Sequence, residues 1–206
     1  MRTFAHRDAE EFAAYADVPV INGLSDLAHP CQAVADLLTI QEAFGRLRGV
    51  RLAYVGDGNN VLHSLVQGCA MLGVHVTAAT PLQDRPDASI WRAAAAQAAR
   101  HGATVRWERD PRRAVQGADV VYTDVWVSMG QERERAARLK RFRSYQVNRA
   151  LLQQAKPGCQ VMHCLPAHRD EEITSEVMEG ARSLIVEQAE NRLHVQKALL
   201  AFLFKR

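Results

Sequence analysis

From Val50 onward the chain alternates short β-branched runs with longer helical patterns, and this alternation narrows the fold more than any other feature. VRLAYVG is followed by NVLHSLVQGCAML, HVTAAT by SIWRAAAAQAARHG, and ATVRWE by PRRAVQGA, before DVVYTD closes the run. An apolar period that switches repeatedly between strand-like and helix-like spacing marks strands joined by crossover helices, the pattern of a parallel sheet wrapped by helices. After a loop and a basic helix the pattern resumes with YQVNRALLQQAKPG, the strand CQVMHC and an apolar run near SLIVE. The expected fold class is α/β: a doubly wound parallel sheet with strands beginning near residues 50, 74, 103, 119 and 159, and a candidate sixth near 183. Ligands of such sheets bind beyond the carboxyl ends of the strands.

The first 45 residues do not fit this sheet. They read as a strand end (RTF), a helix around residues 8–15, a short strand VPVIN and a long helix opening at Pro30, since proline suits the first helical position. So small a piece cannot bury both faces of its strands, so it reads as the remnant of a second α/β domain. The expected division is 1–45 for that remnant, 46–187 for the sheet domain, and 188–206 for a final helix. Leu193, Lys197, Leu200 and Phe204 share a face of this helix and are expected to pack back toward the first domain.

With 206 residues, 48% apolar and 24% charged, the chain can bury a full core. Its 26 basic and 23 acidic side chains are spread along its length, so the net charge of +3 makes a weak case for nucleic acid. The densest basic stretch, residues 133–143, is broken by Glu134, Ala136, Ala137 and Leu139 and reads as a solvated helix face. Without interleaved aromatics, no nucleic-acid partner is expected. Cys31, Cys69, Cys159 and Cys164 have neither disulfide-framework nor CxxC spacing, which fits a reducing cytoplasm, the expected location. No apolar run reaches the ~18 residues of a membrane span. His6, Arg7, Asp8, Glu10 and Glu11 leave no apolar core for a signal peptide, and no membrane partner is expected.

Four polar clusters fall where this architecture places a site. GDGNN, residues 56–60, follows the first strand, where glycines permit a tight turn and a helix N-terminus offers free N–H groups to an anion. It lacks the third glycine of GxGxxG, and HVTAATP ends without the acid a ribose needs, so nicotinamide binding is disfavoured. TDVWVSMG closes a strand with Asp124, which can pair with an ammonium group or merely cap a turn, and Ser128 adds a hydroxyl. MHCLPAHRDEE places His163 and Cys164 at another strand end; the cysteine is inert or reactive by its surroundings, and no ligand spacing supports zinc. His29, Pro30, Cys31 and Gln32 open the long helix, where a His and a Gln can donate to a carbonyl or phosphate oxygen or simply cap it.

In order, RTFAH, VPVINGLSDLAHPCQAVADLLTIQE, GDGNNVLHS, AATP, TDVWVSMGQE, YQVN, MHCLPAHR and AENRLHVQKA closely resemble the ornithine carbamoyltransferases, from Arg2 almost to the end. HPCQ and HCLP are similar to transcarbamylases in general, whereas SMG with GDGNN is similar to the ornithine branch. The resemblance implies transfer of the carbamoyl group from carbamoyl phosphate to L-ornithine, giving citrulline and phosphate in arginine metabolism, with no metal or organic cofactor. It implies that His29 and Gln32, with Pro30 and Cys31, hold the carbamoyl group, and that Arg2 and Arg192 bind carbamoyl phosphate as cations. Asn60, Asp124, Ser128 and Met129 would bind ornithine's amino-acid end, and Cys164 and Leu165 would face the reacting centre. His29, Cys164 and Arg192 are thereby the expected catalytic groups, with Trp126 and His163 in packing and positioning.

The family also uses a Ser-x-Arg-Thr-Arg helix start for phosphate and forms trimers through its N-terminal domain. Nothing like that motif occurs in these residues. The chain is therefore expected to begin inside the carbamoyl-phosphate domain, to lack useful turnover alone, and to belong to a homo-oligomeric enzyme. The alternative is a non-catalytic module that binds ornithine or a partner.

Overall fold

A computed structural model describes residues 1–128 and 130–204. Five parallel strands, β1 (Arg51–Val55), β2 (His75–Ala79), β3 (Val105–Glu108), β4 (Val120–Thr123) and β5 (Gln160–His163), form one sheet in the order β3-β2-β1-β4-β5. From β1 the chain steps outward to β2 and β3, then returns to lay β4 on the other side of β1. The carboxyl ends of β1 and β4 therefore diverge at a topological switch point, which opens a crevice there.

The helices are α1 (His6–Tyr15), α2 (Pro30–Phe44), α3 (Asn60–Leu72), α4 (Ala88–Arg100), α5 (Pro111–Ala114), α6 (Arg135–Phe142), α7 (Arg149–Leu152), α8 (Ser175–Met178) and α9 (Ile185–Phe204). Side chains alternate across the strands. Leu52 and Tyr54 of β1, Tyr122 of β4 and Met162 of β5 enter one core with Leu37 of α2, Leu65 of α3 and Ala94 of α4. Ala53, Val55, Val121 and Val161 enter the opposite core with Phe142, Leu151 and Val177. Because both faces are covered, the strands read as nearly continuous apolar runs rather than as half-polar ones.

Local chemistry sets the element ends. Asn59 caps α3 by accepting from the N–H groups of Val61 and Leu62, and Asp87 caps α4 in the same way from Ser89 and Ile90. Gly73 ends α3 at a φ of 76°, its N–H returning to the Cys69 carbonyl.

Several expectations are corrected. The segment VPVIN forms no strand; residues 21–26 lie extended beside residues 1–4, joined by Gly23 N to Met1 O, Thr3 N to Leu24 O and Asp26 N to Phe4 O. The sixth strand shrinks to a single bridge between Ser183 and Val161, because the last helix begins at Ile185, earlier than its apolar pattern indicated. Its inward face is Ile185, Gln188, Asn191 and Val195, whereas Leu193, Leu200 and Phe204 are exposed. The polar members were overlooked because Gln188 and Asn191 are buried by hydrogen bonds to α2 rather than by hydrophobicity. The basic stretch is not wholly solvated: Arg138 is 4% exposed.

Leu65 is fully buried at the centre of the first core. Leu65→Ala is expected to lower the unfolding free energy by about 2–5 kcal/mol in urea titrations; a loss near zero would mean that α3 does not seal that face of the sheet.

Candidate functional site

The crevice is built from four segments. The turn after β1 supplies residues 57–60, the end of β4 supplies Asp124, the end of β5 supplies His163 to Leu165, and the first turn of α2 supplies His29 and Gln32. Gly58 lets the first turn close: a Cβ there would lie 2.3 Å from the Pro86 nitrogen and 2.5 Å from the Asp84 carbonyl oxygen, to which its own N–H donates.

Asp124 is 4% exposed. Its carboxylate accepts from Asn59 Nδ2 at 2.7 Å and from Cys164 Sγ at 3.0 Å. Burial pushes the Cys164 thiol well above its ordinary value, and the neighbouring Asp124 charge pushes it further the same way. Cys164 therefore stays a thiol that donates a hydrogen bond, not a thiolate nucleophile.

His29 is the N-cap residue of α2, and its backbone N–H donates to Ser64 Oγ at 2.8 Å. Burial above all, then Arg192 and Arg2, lower its imidazole to about 4, while Asp124 acts in the opposite direction. At neutral pH the ring is uncharged, and it feels both the two cations and the Asp124 anion. Its Nδ1 is buried without a partner, and so is Gln32 Oε1 one turn along. Buried polar atoms are normally satisfied, so two orphans on the first turn of one helix mark a place for a ligand. Arg192 is half-buried on α9, and Arg2 is exposed; neither side chain has an ion pair among the described residues.

The other candidates are placed as follows. Pro30 is the first residue of α2, and Cys31 is buried with its thiol 3.4 Å from the Asn22 carbonyl oxygen. Leu165 holds a φ of 59°, rare outside glycine, and its N–H donates to His163 Nδ1 at 2.9 Å. Ser128 is half-buried, its N–H bonded to Gln131 Oε1. Met129 lies outside the described residues. Asn60 does not reach Asp124: its Nδ2 donates to the Ser25 carbonyl at 2.6 Å, and Asn59 makes the Asp124 contact instead. Adjacent asparagines at a helix start are equivalent in sequence, and only the capping geometry separates them. Since Asn59 Oδ1 occupies the N–H groups of Val61 and Leu62, the free-donor reading of this helix start is corrected.

Three supporting groups had no signal as single residues. Asp36 of α2 is fully buried and accepts from Gln32 Nε2, Gln188 Nε2 and the Tyr122 hydroxyl. Burial raises its carboxyl to about 7 against the pull of these hydrogen bonds. Asp57 pairs with Arg138 at 2.6 Å, and Arg138 also reaches Asp84 and the Trp126 carbonyl oxygen. This buried cation ties the turn after β1 to the loop after β4. A periodicity of polar residues spread over 81 positions, from 57 to 138, could not have revealed it.

Asp124, His163 and Cys164 bring three potential metal ligands within 4.8 Å of one another. Their donor atoms are already committed. His163 Nδ1 accepts from Leu165, so Nε2 carries the proton and donates to Glu172 at 3.1 Å, while the Cys164 thiol donates to Asp124. The set does not suit a cation.

The parallel order, the crevice at the switch point and the cationic and anionic groups near His29 define a doubly wound α/β protein with a site for small polar ligands. Residues 48–203 match the model of the aspartate/ornithine carbamoyltransferase Asp/Orn binding domain, and residues 1–42 match that of the family's carbamoyl-P binding domain. The chain belongs to the aspartate/ornithine carbamoyltransferase family. It is 59% identical over 203 residues to the ornithine carbamoyltransferase of Gloeobacter violaceus, covering 98% of this chain and 65% of that protein. With the Bacillus subtilis ornithine carbamoyltransferase it shares 54% identity over its whole length and 65% of the relative's. It superposes on the Pyrococcus furiosus ornithine carbamoyltransferase with a TM-score of 0.94 at 53% identity, covering 97% of this chain and 64% of that one. The chain thus spans about two thirds of the length of these relatives.

Two outcomes follow from the buried charges. The Asp36 carboxyl is raised above its ordinary value near 3.8, so its contribution to stability is complete below about pH 4 and is lost as pH rises through about 7. The stability advantage of the parent over Asp36→Asn should shrink between pH 5 and pH 8 in urea unfolding; a constant difference would mean that the carboxylate is ionised throughout. Arg138→Met should cost about 3–5 kcal/mol by leaving Asp57 unpaired in the interior. An unchanged unfolding midpoint would show that the pair is dispensable.

Proposed function

We propose that this chain supplies the ornithine side and part of the carbamoyl-phosphate side of an ornithine carbamoyltransferase serving arginine biosynthesis. The observation that carries this reading is the uncharged His29 ring, its Nδ1 unpaired near the unpaired Gln32 Oε1, within the field of both the cations Arg192 and Arg2 and the anion Asp124. Carbamoyl phosphate is an anion and ornithine carries ammonium groups, so a site with this polarity suits both at once. Names and family models of the relatives agree with it.

In the proposed reaction the neutral δ-amine donates its electron pair to the carbonyl carbon of carbamoyl phosphate. The C–O bond to phosphate then breaks with its pair, the amine loses a proton, and citrulline and phosphate result. A lysine-like ammonium has a pKa of about 10.4, so roughly one molecule in a thousand is neutral near pH 7. Orientation must supply much of the rate. Asp124 would take ornithine's α-ammonium, with Asn60, Ser128 and Met129 completing the hold on its amino-acid end. His29 would donate to the developing oxyanion without carrying charge of its own, Gln32 would accept from the carbamoyl NH2, and Pro30 and Cys31 would shape that end of the pocket. Arg2 and Arg192 would bind the phosphate. Cys164 and the strained Leu165 backbone would border the reacting carbon.

In this reading residues 1–45 are a remnant of the carbamoyl-phosphate domain, 46–187 form the ornithine side, and the helix in the segment 188–206 packs back toward the first. The direct contact of α9 with α2, through Asn191 to Thr39 and Glu42, supports that division. Association into homo-oligomers belongs to the same proposal.

The test is citrulline formation from ornithine and carbamoyl phosphate, using the chain with and without a separately expressed N-terminal carbamoyl-phosphate domain from a relative. Activity is expected in the mixture. In the active preparation His29→Ala should reduce turnover by ~10²–10³. A folded His29→Ala protein with parental turnover would remove this residue from the chemistry, and silence of the parent in every mixture would defeat the transferase reading.

A further inference from the structure

A second concavity lies away from the crevice. It has a volume of about 1000 Å³ and is bordered by the segments that follow β2 and β3, by the end of α6 and by α7. None of the residues assigned above to carbamoyl phosphate or ornithine lines it.

Five arginines do: Arg109, Arg112, Arg113, Arg141 and Arg143. Arg141 is committed, since its Nε lies 2.6 Å from Asp84 Oδ2. The other four are exposed, and none makes a side-chain hydrogen bond or ion pair among the described residues. The two carboxylates on the rim are turned to the backbone instead. Glu108 Oε1 accepts from the N–H groups of Arg109 and Asp110, and Asp110 Oδ1 accepts from Arg112 N–H. Four uncompensated guanidinium groups around one cleft repel each other, and a compact polyanion relieves that repulsion while using their forked donors.

We propose that this cleft binds a small, multiply phosphorylated anion, a chain of two or three phosphoryl groups. Its volume is of the size that encloses a small ligand. Nucleic acid is a poorer occupant, because the lining aromatic, Tyr145, is 5% exposed and its hydroxyl is tied to the Arg109 carbonyl oxygen. It offers no face on which bases could stack.

Isothermal titration of the 206-residue chain with inorganic tripolyphosphate tests this. One ligand per chain is expected, and Arg112→Gln combined with Arg113→Gln should weaken it roughly tenfold or more, since each lost charge-assisted contact is of that order. These exposed side chains have no partners to lose, so folding should be unaffected, as circular dichroism would verify. Arg192→Gln should leave the affinity unchanged. ATP as a second titrant distinguishes the sources of the phosphoryl chain: tighter binding than tripolyphosphate indicates a nucleotide, and equal or weaker binding an inorganic polyphosphate. The proposal is overturned if tripolyphosphate does not saturate, if the double variant binds as the parent does, if Arg192→Gln abolishes binding, or if only a single-stranded oligonucleotide binds.

Discussion

One buried carboxylate holds the site's separate parts in register. Asp36 accepts from Gln32 on its own helix, from Tyr122 on β4 and from Gln188 on α9, and Gln188 Oε1 in turn accepts the His163 N–H at the end of β5. Through these few bonds the N-terminal segment, the sheet and the last helix share one polar centre inside an otherwise apolar core. A buried hydrogen-bond network of this kind fixes geometry more sharply than hydrophobic contact, because each misplacement leaves a buried polar group unpaired. Gln32 shows the consequence. Its Nε2 is anchored on Asp36, and its Oε1 is thereby presented unpaired beside His29.

The same low-polarity surroundings decide which groups carry charge. Burial keeps His29 neutral and Cys164 protonated, and it raises the carboxyls of Asp36 and Asp57 to about 7. Removing mobile charge from the crevice leaves its polarity to Arg2, Arg192 and Asp124, which sit on different segments. Field and hydrogen-bond donors are thus set before any ligand arrives, the condition under which electrostatics contributes most to a transition state.

The fold was legible because its pattern is local. Each of the first four strands and its following helical segment announces itself by a change of apolar period over a dozen residues, and both sheet faces are covered as the continuous apolar runs required. Asp124, His29 and Cys164 stood out because they occupy strand ends or a helix start. What escaped the sequence was set by partners far along the chain. Arg138 lies in a stretch that looks solvated, yet it is drawn inward by Asp57 and Asp84. VPVIN has strand propensity, but the backbone bonds to residues 1–4 fall on residues 21–26, mostly beyond it, and a strand without a ladder of hydrogen bonds does not form. Which of Asn59 and Asn60 caps the helix is visible only in the cap itself.

Arg138 also shows why a costly interaction belongs at this place. Its guanidinium is 4% exposed between Asp57 and Asp84, so a cation and two carboxyl groups have lost water, a loss that mutual attraction rarely exceeds by much. An apolar cluster of the same volume would stabilise the core as well, but it would not be directional. The guanidinium is ion-paired with Asp57 after β1 and donates to the Trp126 carbonyl after β4, so it fixes both lips of the crevice relative to one another. Apolar packing tolerates a slip between those lips; this ion pair, with its short bond at 2.6 Å and almost no water to replace it, does not.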